Sequence, residues 1–416
     1  MSYFDRIQTE FVDNSQLDSS GRLRTGEIET VLEGKFLLDK QPQLVSESIS
    51  GAASSTFLTD SSIDMEVGNT IGDRIVRQSK NYAVYQPGKG QRVLATGHLN
   101  SNPTSGIRSR IGYFDDKADK STGLLRGNGL FFQLDGTTLS VVLRSTSSDG
   151  TLTQTDTVID QSSWNLDRLD GSGGSNNPSG ITIDVTKIQI FTIDFLWLGT
   201  GRVRFGVIIG GKPIYCHEIL NSNVNTTTYM NTPSLPVRYE IENTGGVTNS
   251  SVLKQVCYTV ASEGGRKSLD PIRSVDMGIN VLGAGTTLLP GISIRLQPNS
   301  RSSLEVIETI ATNLSGNRNI RYGLYYNATL TGASWTNIVN SSEAQVDTSA
   351  TDINITNASL LSSGYVISDS SSKSSVENQI KINSDIVGTS DIITLAFQTT
   401  NSSGDVIGGI KFKEIH

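Results

Sequence analysis

The chain has 416 residues, a formal net charge of −7, 36% hydrophobic and only 18% charged residues, and 41 glycines. An acidic chain lacks the basic surface that counterion release requires, which argues against direct nucleic-acid binding outside local patches. No apolar run approaches the roughly 20 residues of a membrane span, and MSYFDRIQTEFVDNS has neither a basic n-region nor an apolar h-region, so neither membrane insertion nor a secretory signal is expected.

A composition dominated by Ser, Thr, Asn and Gly favours short strands joined by turns over amphipathic helices. The length suits two all-β domains, preceded by an arm. Residues 1–55 read as that extended arm: LDSSGRLRTGEIETVLEGKF has turn residues and charges without a sustained period of 2 or 3.6.

Residues 56–265 carry the main strand-rich region. RIVRQSKNYAVYQPGKGQRVLATGHL reads as strands, and in GLFFQLDGTTLSVVLRS the Asp135-Gly136 pair between two apolar runs signals a hairpin. WNLDRLDGSGGSNNPSG, Trp164 to Gly180, is a long polar loop. From Phe191 the period is 2: Phe191, Ile193, Phe195 and Trp197 fall on one face, Thr192, Asp194 and Leu196 on the other. Gly199 and Gly201 reverse the chain. Val203, Phe205, Val207 and Ile209 then oppose Arg202, Arg204 and Ile208, and Gly210-Gly211 leads into a third strand. A meander with one apolar face must pack against a second layer, which predicts a concanavalin/jelly-roll-like antiparallel β-sandwich.

SEGGRKSLDP, Ser262 to Pro271, is the expected boundary, and residues 266–416 read as a second, smaller β-sandwich. Its strands are marked by Ile292, Ile294 and Leu296; by Ile320, Tyr322, Leu324 and Tyr326; by Ile393, Leu395 and Phe397; and by Ile410 and Phe412. SLEVIETIATNL also fits a helical face through Leu304, Ile307 and Ala311.

Residues able to do chemistry are few. His217 adjoins Glu218, but neighbours on a strand point to opposite faces, so a hydrogen-bonded strand histidine is expected. His98 and His416 have no partner signature. Cys216 and Cys257 form no CxxC, and buried free thiols are the expectation, with a disulfide left open. SIDMEVG sets Asp64 and Glu66 at alternate positions, as glycosidase carboxylates are set, but Ser62 stands where a third would be needed. DGSGGSNNPSG and PGKG lack phosphate-loop spacing and read as turns. Asp167 and Asp170 supply the hard oxygens calcium prefers; the plainer reading is a loop capped by its own Asp side chains, and no other cofactor is expected. The N-x-[ST] sequons at Asn225, Asn249, Asn313, Asn327, Asn354 and Asn357 follow from composition. Arg202 and Arg204 are expected to pair with local carboxylates first, and to make subunit contacts second.

Six stretches in order, LDSSGRLRTGE (17–27), YQPGKGQ (85–91), SWNLDRLDG (163–171), IDFLWLGTGRVRFGV (193–207), TPSLPVRYEI (232–241) and QVCYTVASEGG (255–265), resemble a family of virion proteins. Its members are encoded by tailed phages, particularly marine ones, with related forms in large DNA viruses. The resemblance spans residues 15–265 and leaves out the C-terminal part. The family is structural, without a settled activity, so no catalytic residue is carried over. It implies a place on the particle after synthesis in the host cytoplasm, contacts with other virion proteins, and a homotrimer or larger ring. The arm and first sandwich would anchor and the C-terminal sandwich would face outward. Arg22, Arg24, Arg202 and Arg204 are the candidate subunit contacts. A receptor-binding fibre recognising host-surface glycan is the alternative, with Trp164, Tyr229 and Trp335 as candidate stacking aromatics. A glycan hydrolase is the least favoured reading.

Overall fold

The computed structural model describes residues 28–119, 122–147, 153–245, 249–265, 270–279, 282–315, 318–367, 370–375, 381–399 and 403–415. Among them there is no α-helix, and so none long and apolar enough to cross a membrane. Every strand pairing within these residues is antiparallel, and the chain divides into two compact units. It is an all-β protein of antiparallel sandwiches.

The larger unit takes in the described residues to Ser79, Ala83–Asp116 and Leu124 to Gly265. Its strands are β1 (Ile28–Lys35), β2 (Val45–Ser50), β3 (Ser54–Leu58), β4 (Ser62–Val67), β5 (Arg74–Ser79), β6 (Gln91–His98), β7 (Ile107–Phe114), β8 (Gly129–Asp135), β9 (Thr138–Ser145), β10 (Thr155–Asp160), β11 (Gln189–Phe195), β12 (Val203–Ile209), β13 (Lys212–Ile219), β14 (Val237–Asn243) and β15 (Ser251–Glu263). One sheet runs β13-β12-β11-β6-β15-β4-β3, with β1 also on β15; the other runs β10-β9-β8-β7-β14-β5-β2. The inner faces of the two sheets share one core: Met65, Val93, Phe191, Phe195 and Phe205 from the first, Ile75, Ile111, Phe132, Val141 and Tyr239 from the second. Phe132 sits 4.9 Å from Phe191 and 5.7 Å from Phe205, centroid to centroid. Each such buried ring contributes roughly 1.5–3 kcal/mol.

The meander forms as its alternation dictates, with Phe191 opposite Val207 and Ile193 opposite Phe205. Gly201 is required at the reversal, because a Cβ there would lie 1.6 Å from the Leu196 carbonyl oxygen. The Asp135-Gly136 hairpin joins β8 to β9 in register, Asp135 opposite Thr138.

An arm through residue 55 is corrected for its described part. Residues 28–55 supply β1, β2 and the start of β3, which are built into the two sheets. A bulge between Thr30 and Leu32 breaks the alternation of β1, and the outward Glu29, Glu33 and Lys35 hide the buried Leu32 and Phe36 from a periodicity reading. The glycine of this strand, Gly34, is fixed by a close approach: a Cβ there would meet the Tyr258 ring at 2.3 Å.

The smaller unit comprises Lys80–Tyr82, described residues of Lys117–Gly123, and those from Asp270 onward. One sheet is ordered 272–276, 404–415, 303–313 and 371–375; the other 336–337, 344–347, 289–296, 392–399, 320–326 and 359–366. Ile292, Leu304, Leu324, Phe397 and Phe412 fill the core between them. SLEVIETIATNL is extended: Ser303–Asn313 pairs along its length with Gly404–Ile415, as its run of Val, Ile and Thr favours. Lys117 is buried here, its ammonium donating to the carbonyls of Ser300 and Ser384 and lying 4.8 Å from the Tyr82 ring centre.

Candidate functional site

The densest polar assembly lies on the outer face of the seven-stranded sheet. Alternation in VRYEIEN turns Tyr239 and Ile241 into the core and leaves Arg238, Glu240 and Glu242 outside. Register then sets Glu240 beside Arg110 and Glu242 beside Arg108 on β7, with Gln78, Val76 and Arg74 of β5 on the other flank. Across β8 and β9 the same face continues through Gln133, Phe131, Val142 and Arg144, and reaches Asp156 on β10.

These side chains form a continuous lattice. Arg238 holds Asp116 with two bonds, 2.5 and 2.8 Å, and reaches Glu240 at 2.8 Å. Arg74 touches Asp116 at 3.1 Å and Glu240 at 3.2 Å, and Arg110 meets Glu240 at 3.4 Å. Arg144 clasps Asp156 through 2.8 and 2.9 Å bonds, the bidentate geometry a guanidinium favours. Beneath them Phe114, Phe131 and Val142 make a small apolar cluster separate from the main core. Arg144 lies 5.1 Å and Arg110 5.5 Å from the Phe131 ring centre, and Arg238 lies 5.3 Å from that of Phe114, so the guanidinia roof the rings.

The electrostatics follow from burial set against pairing. Burial alone would raise the Glu240 carboxyl, but Arg238, Arg74 and Arg110 outweigh it and hold it at about 2. Asp116 is also held well below the usual carboxylate range by Arg238 and Arg74, against its own burial. Burial pulls Arg110 down to about 10. Both carboxylates are therefore ionised at neutral pH and have no proton to donate, which suits a framework better than acid–base work.

A smaller network on the outer face of the eight-stranded sheet accounts for the arginines of the meander. Arg204 is buried, pairs with Asp194 on β11 at 2.7 Å, and lies 4.1 Å from the Tyr215 ring centre; the Tyr215 hydroxyl donates to the same Asp194 oxygen. Subunit contact is thus corrected for Arg204: it is committed to its own sheet, desolvated and paired. Arg202 remains partly exposed and faces Glu218 at 3.5 Å. Arg22 and Arg24 lie outside the described residues, as does His416.

Two of the three proposed stacking aromatics are not at the surface. Trp164 is 3% exposed, donates its indole N–H to the Ile159 carbonyl and packs edge-on against Phe132. Tyr229 is also 3% exposed and belongs to the main core. Both sit in polar stretches, which concealed that their rings belong to the main core. Trp335 is half-buried in the smaller unit, with Arg295 4.3 Å from its ring centre.

Asp167, offered as a calcium ligand, has its oxygens facing donors. Oδ1 accepts from the Leu169 N–H at 2.9 Å and from Asn177 Nδ2 at 2.6 Å, and Oδ2 accepts from the Ser179 N–H at 2.9 Å. Asp170 caps Ser172 through that residue's backbone N–H and hydroxyl. Surroundings of N–H donors are of the wrong polarity for a cation, and among the described residues no group of three or more His, Cys, Asp or Glu could hold a metal. The loop is organised by its own carboxylates.

Asp64 is engaged by Lys254 at 3.0 Å, and Glu66 on the same strand is exposed. His217 accepts the Asn165 N–H at Nδ1, 3.2 Å, while Glu218 meets Arg202. Cys216 is buried, Cys257 half-buried, and both are free thiols. The lattice around Arg238 was missed in the sequence, although RSRIGYF and VRYEIEN each alternate charge with apolar residues; the register between them was the hidden part.

No protein-family model matches the chain, and no curated protein does. Solved structures similar to it include a legume lectin-like domain from Entamoeba histolytica, at 12% identity and TM-score 0.32 over 56% of this chain and 98% of that one. Peanut lectin aligns at 10% identity and TM-score 0.32, over 57% and 97%. A third, described with endo-acting O-glycanases of the human gut microbiota, aligns at 10% identity and TM-score 0.36, over 56% and 99%. The likeness is one of fold alone.

Proposed function

We propose that this chain is a structural protein of a virus particle, tailed phage in kind, made in the host cytoplasm and acting through contacts with other virion proteins. One observation carries the reading: among the described residues, charged side chains of three of the stretches that resemble virion proteins are spent on holding the fold. Arg238 and Glu240 of LPVRYEI anchor the lattice, Asp194 and Arg204 of IDFLWLGTGRVRFGV pair with each other, and Asp167 of SWNLDRLDG ties its own loop. Tyr85 of YQPGKGQ packs edge-on against Trp197 at 6.0 Å. A chain built this way offers a rigid body to dock rather than a reaction centre.

In this mechanism the larger unit and residues 1–27, with Arg22 and Arg24, make the anchoring contacts, and the smaller unit faces neighbours or host. The test is to weigh the purified protein in solution and add it to particles that lack it and, separately, to host cell envelopes. Incorporation into particles, lost on deletion of residues 1–27, is the expected result. Binding to envelopes without incorporation would overturn it.

A second reading, host-surface glycan recognition, rests on Trp335, the one aromatic of the three that is not buried. The lectin names of the structural neighbours agree with that reading without adding to it. Loss of envelope binding in Trp335→Ala, with incorporation unchanged, would establish it.

A further inference from the structure

A buried polar knot closes one end of the strand pair 320–326 and 392–399 in the smaller unit. Asn327 follows the first strand in a left-handed backbone conformation, φ 56°, which asparagine tolerates better than most residues. Its side chain meets the start of the second strand, where Oδ1 accepts the Ile392 N–H at 2.9 Å. Its Nδ2 donates to Asp391 Oδ1 at 2.8 Å. The same carboxylate oxygen accepts from the ammonium of Lys80, 3.3 Å away, a residue that the segment Lys80–Tyr82 brings into this unit. The side chains of Lys80 and Asp391 are 13% and 9% exposed, so water is largely shut out.

We propose that this knot is a self-catalysed cross-linking site, in which the Lys80 amine and the Asn327 carboxamide condense to an isopeptide bond with Asp391 as the proton relay. A nucleophile and an amide both stand on one oxygen of a base, which is the arrangement the chemistry needs. Asp391 takes one proton from the Lys80 ammonium, and the freed Nζ attacks Asn327 Cγ. Negative charge gathers on Oδ1, where the Ile392 N–H already points. The Cγ–Nδ2 bond then breaks. Asp391 returns its proton to the departing Nδ2 and the new amide nitrogen gives up a second, so ammonium leaves, Asp391 ends as it began, and no oxidant or cofactor enters. A salt bridge alone would account for Lys80 and Asp391. It does not require the Asn327 amide, bonded to the same oxygen through its nitrogen and polarised at its carbonyl by Ile392. The inference does not depend on what the protein binds.

The experiment weighs the intact, purified full chain and then sequences its tryptic peptides by mass spectrometry. The expected result is a mass below that of the sequence by one ammonia, about 17 Da, and a branched peptide joining Lys80 to Asn327. Lys80→Arg, which keeps a cation on Asp391 but cannot condense, should restore the full mass. Asp391→Asn should also show the full mass in protein that still folds. An unsubstituted chain of full mass overturns the inference, as does a loss of one water, about 18 Da, with Lys80 joined to Asp391 instead. A link that persists in folded Asp391→Asn overturns it too, because the relay would then be unnecessary.

Discussion

Arg238 is the residue on which the outer lattice turns, and Arg238→Met tests whether that lattice stabilises the sandwich. The guanidinium is fully buried and serves two carboxylates, Asp116 and Glu240. Removing one partner of a buried pair costs about 3–5 kcal/mol, because a desolvated charge is left behind. Here Arg74 stays within 3.2 Å of both carboxylates and Arg110 within 3.4 Å of Glu240, so the lower figure, about 3 kcal/mol, applies. For a domain of this size that is a fall in Tm of roughly 6–12 °C. The assay is urea and thermal unfolding followed by tryptophan fluorescence in a Trp335→Phe background, so that Trp164 and Trp197 report the larger unit. The pH dependence is an internal check. Glu240 moves from 4.5 when unfolded to about 2 when folded, so its contribution, on the order of 3 kcal/mol, is fully present above 4.5 and is lost as pH falls towards 2. The gap between the two proteins should therefore narrow below pH 4. A loss under about 1 kcal/mol, the worth of an exposed ion pair, would refute the argument.

Asp167→Ala should cost about 2–3 kcal/mol, since the carboxylate accepts three bonds within its loop, and millimolar calcium should leave the Tm of the unsubstituted protein unchanged; a rise with calcium would reinstate a cation site. Trp164→Ala should cost about 3–5 kcal/mol as a core truncation, measured by urea unfolding, whereas Trp335→Ala should leave the larger unit's transition in place. Burial, aided by Lys254 and opposed by Asp64, holds His98 below its usual 6.5, so it favours the folded state above that pH and the benefit is lost as pH drops through the folded value. His98→Gln should flatten the stability profile below about pH 6.5, and an unchanged slope would count against this assignment.

The meander and the Asp135-Gly136 hairpin were legible because each residue's face follows from its own strand. The lattice around Arg238 was not, because it is assembled from β5, β7, β9, β10, β14 and a connecting loop, and only register decides which arginine meets which carboxylate. The opening strand was hidden by a different cause, a bulge at Val31 that slips the alternation. Trp164 and Tyr229 misled because the burial of a ring carried on a connecting segment depends on what folds over it, and polar neighbours in sequence say nothing of that. Arg204 was legible in kind: local pairing was the first expectation, and Asp194 is its partner, one strand away.

The pairing of β1 with β15 has a consequence for synthesis on the ribosome. Roughly 220 residues separate Lys35 from Cys257, and at about 5–20 residues per second β1 must wait on the order of 10–45 s for its partner to emerge. During that interval it is an orphan strand in a crowded cell. Its outward Glu29, Glu33 and Lys35, which obscure it in the sequence, are the charges that discourage a nascent chain from pairing with the wrong neighbour while it waits.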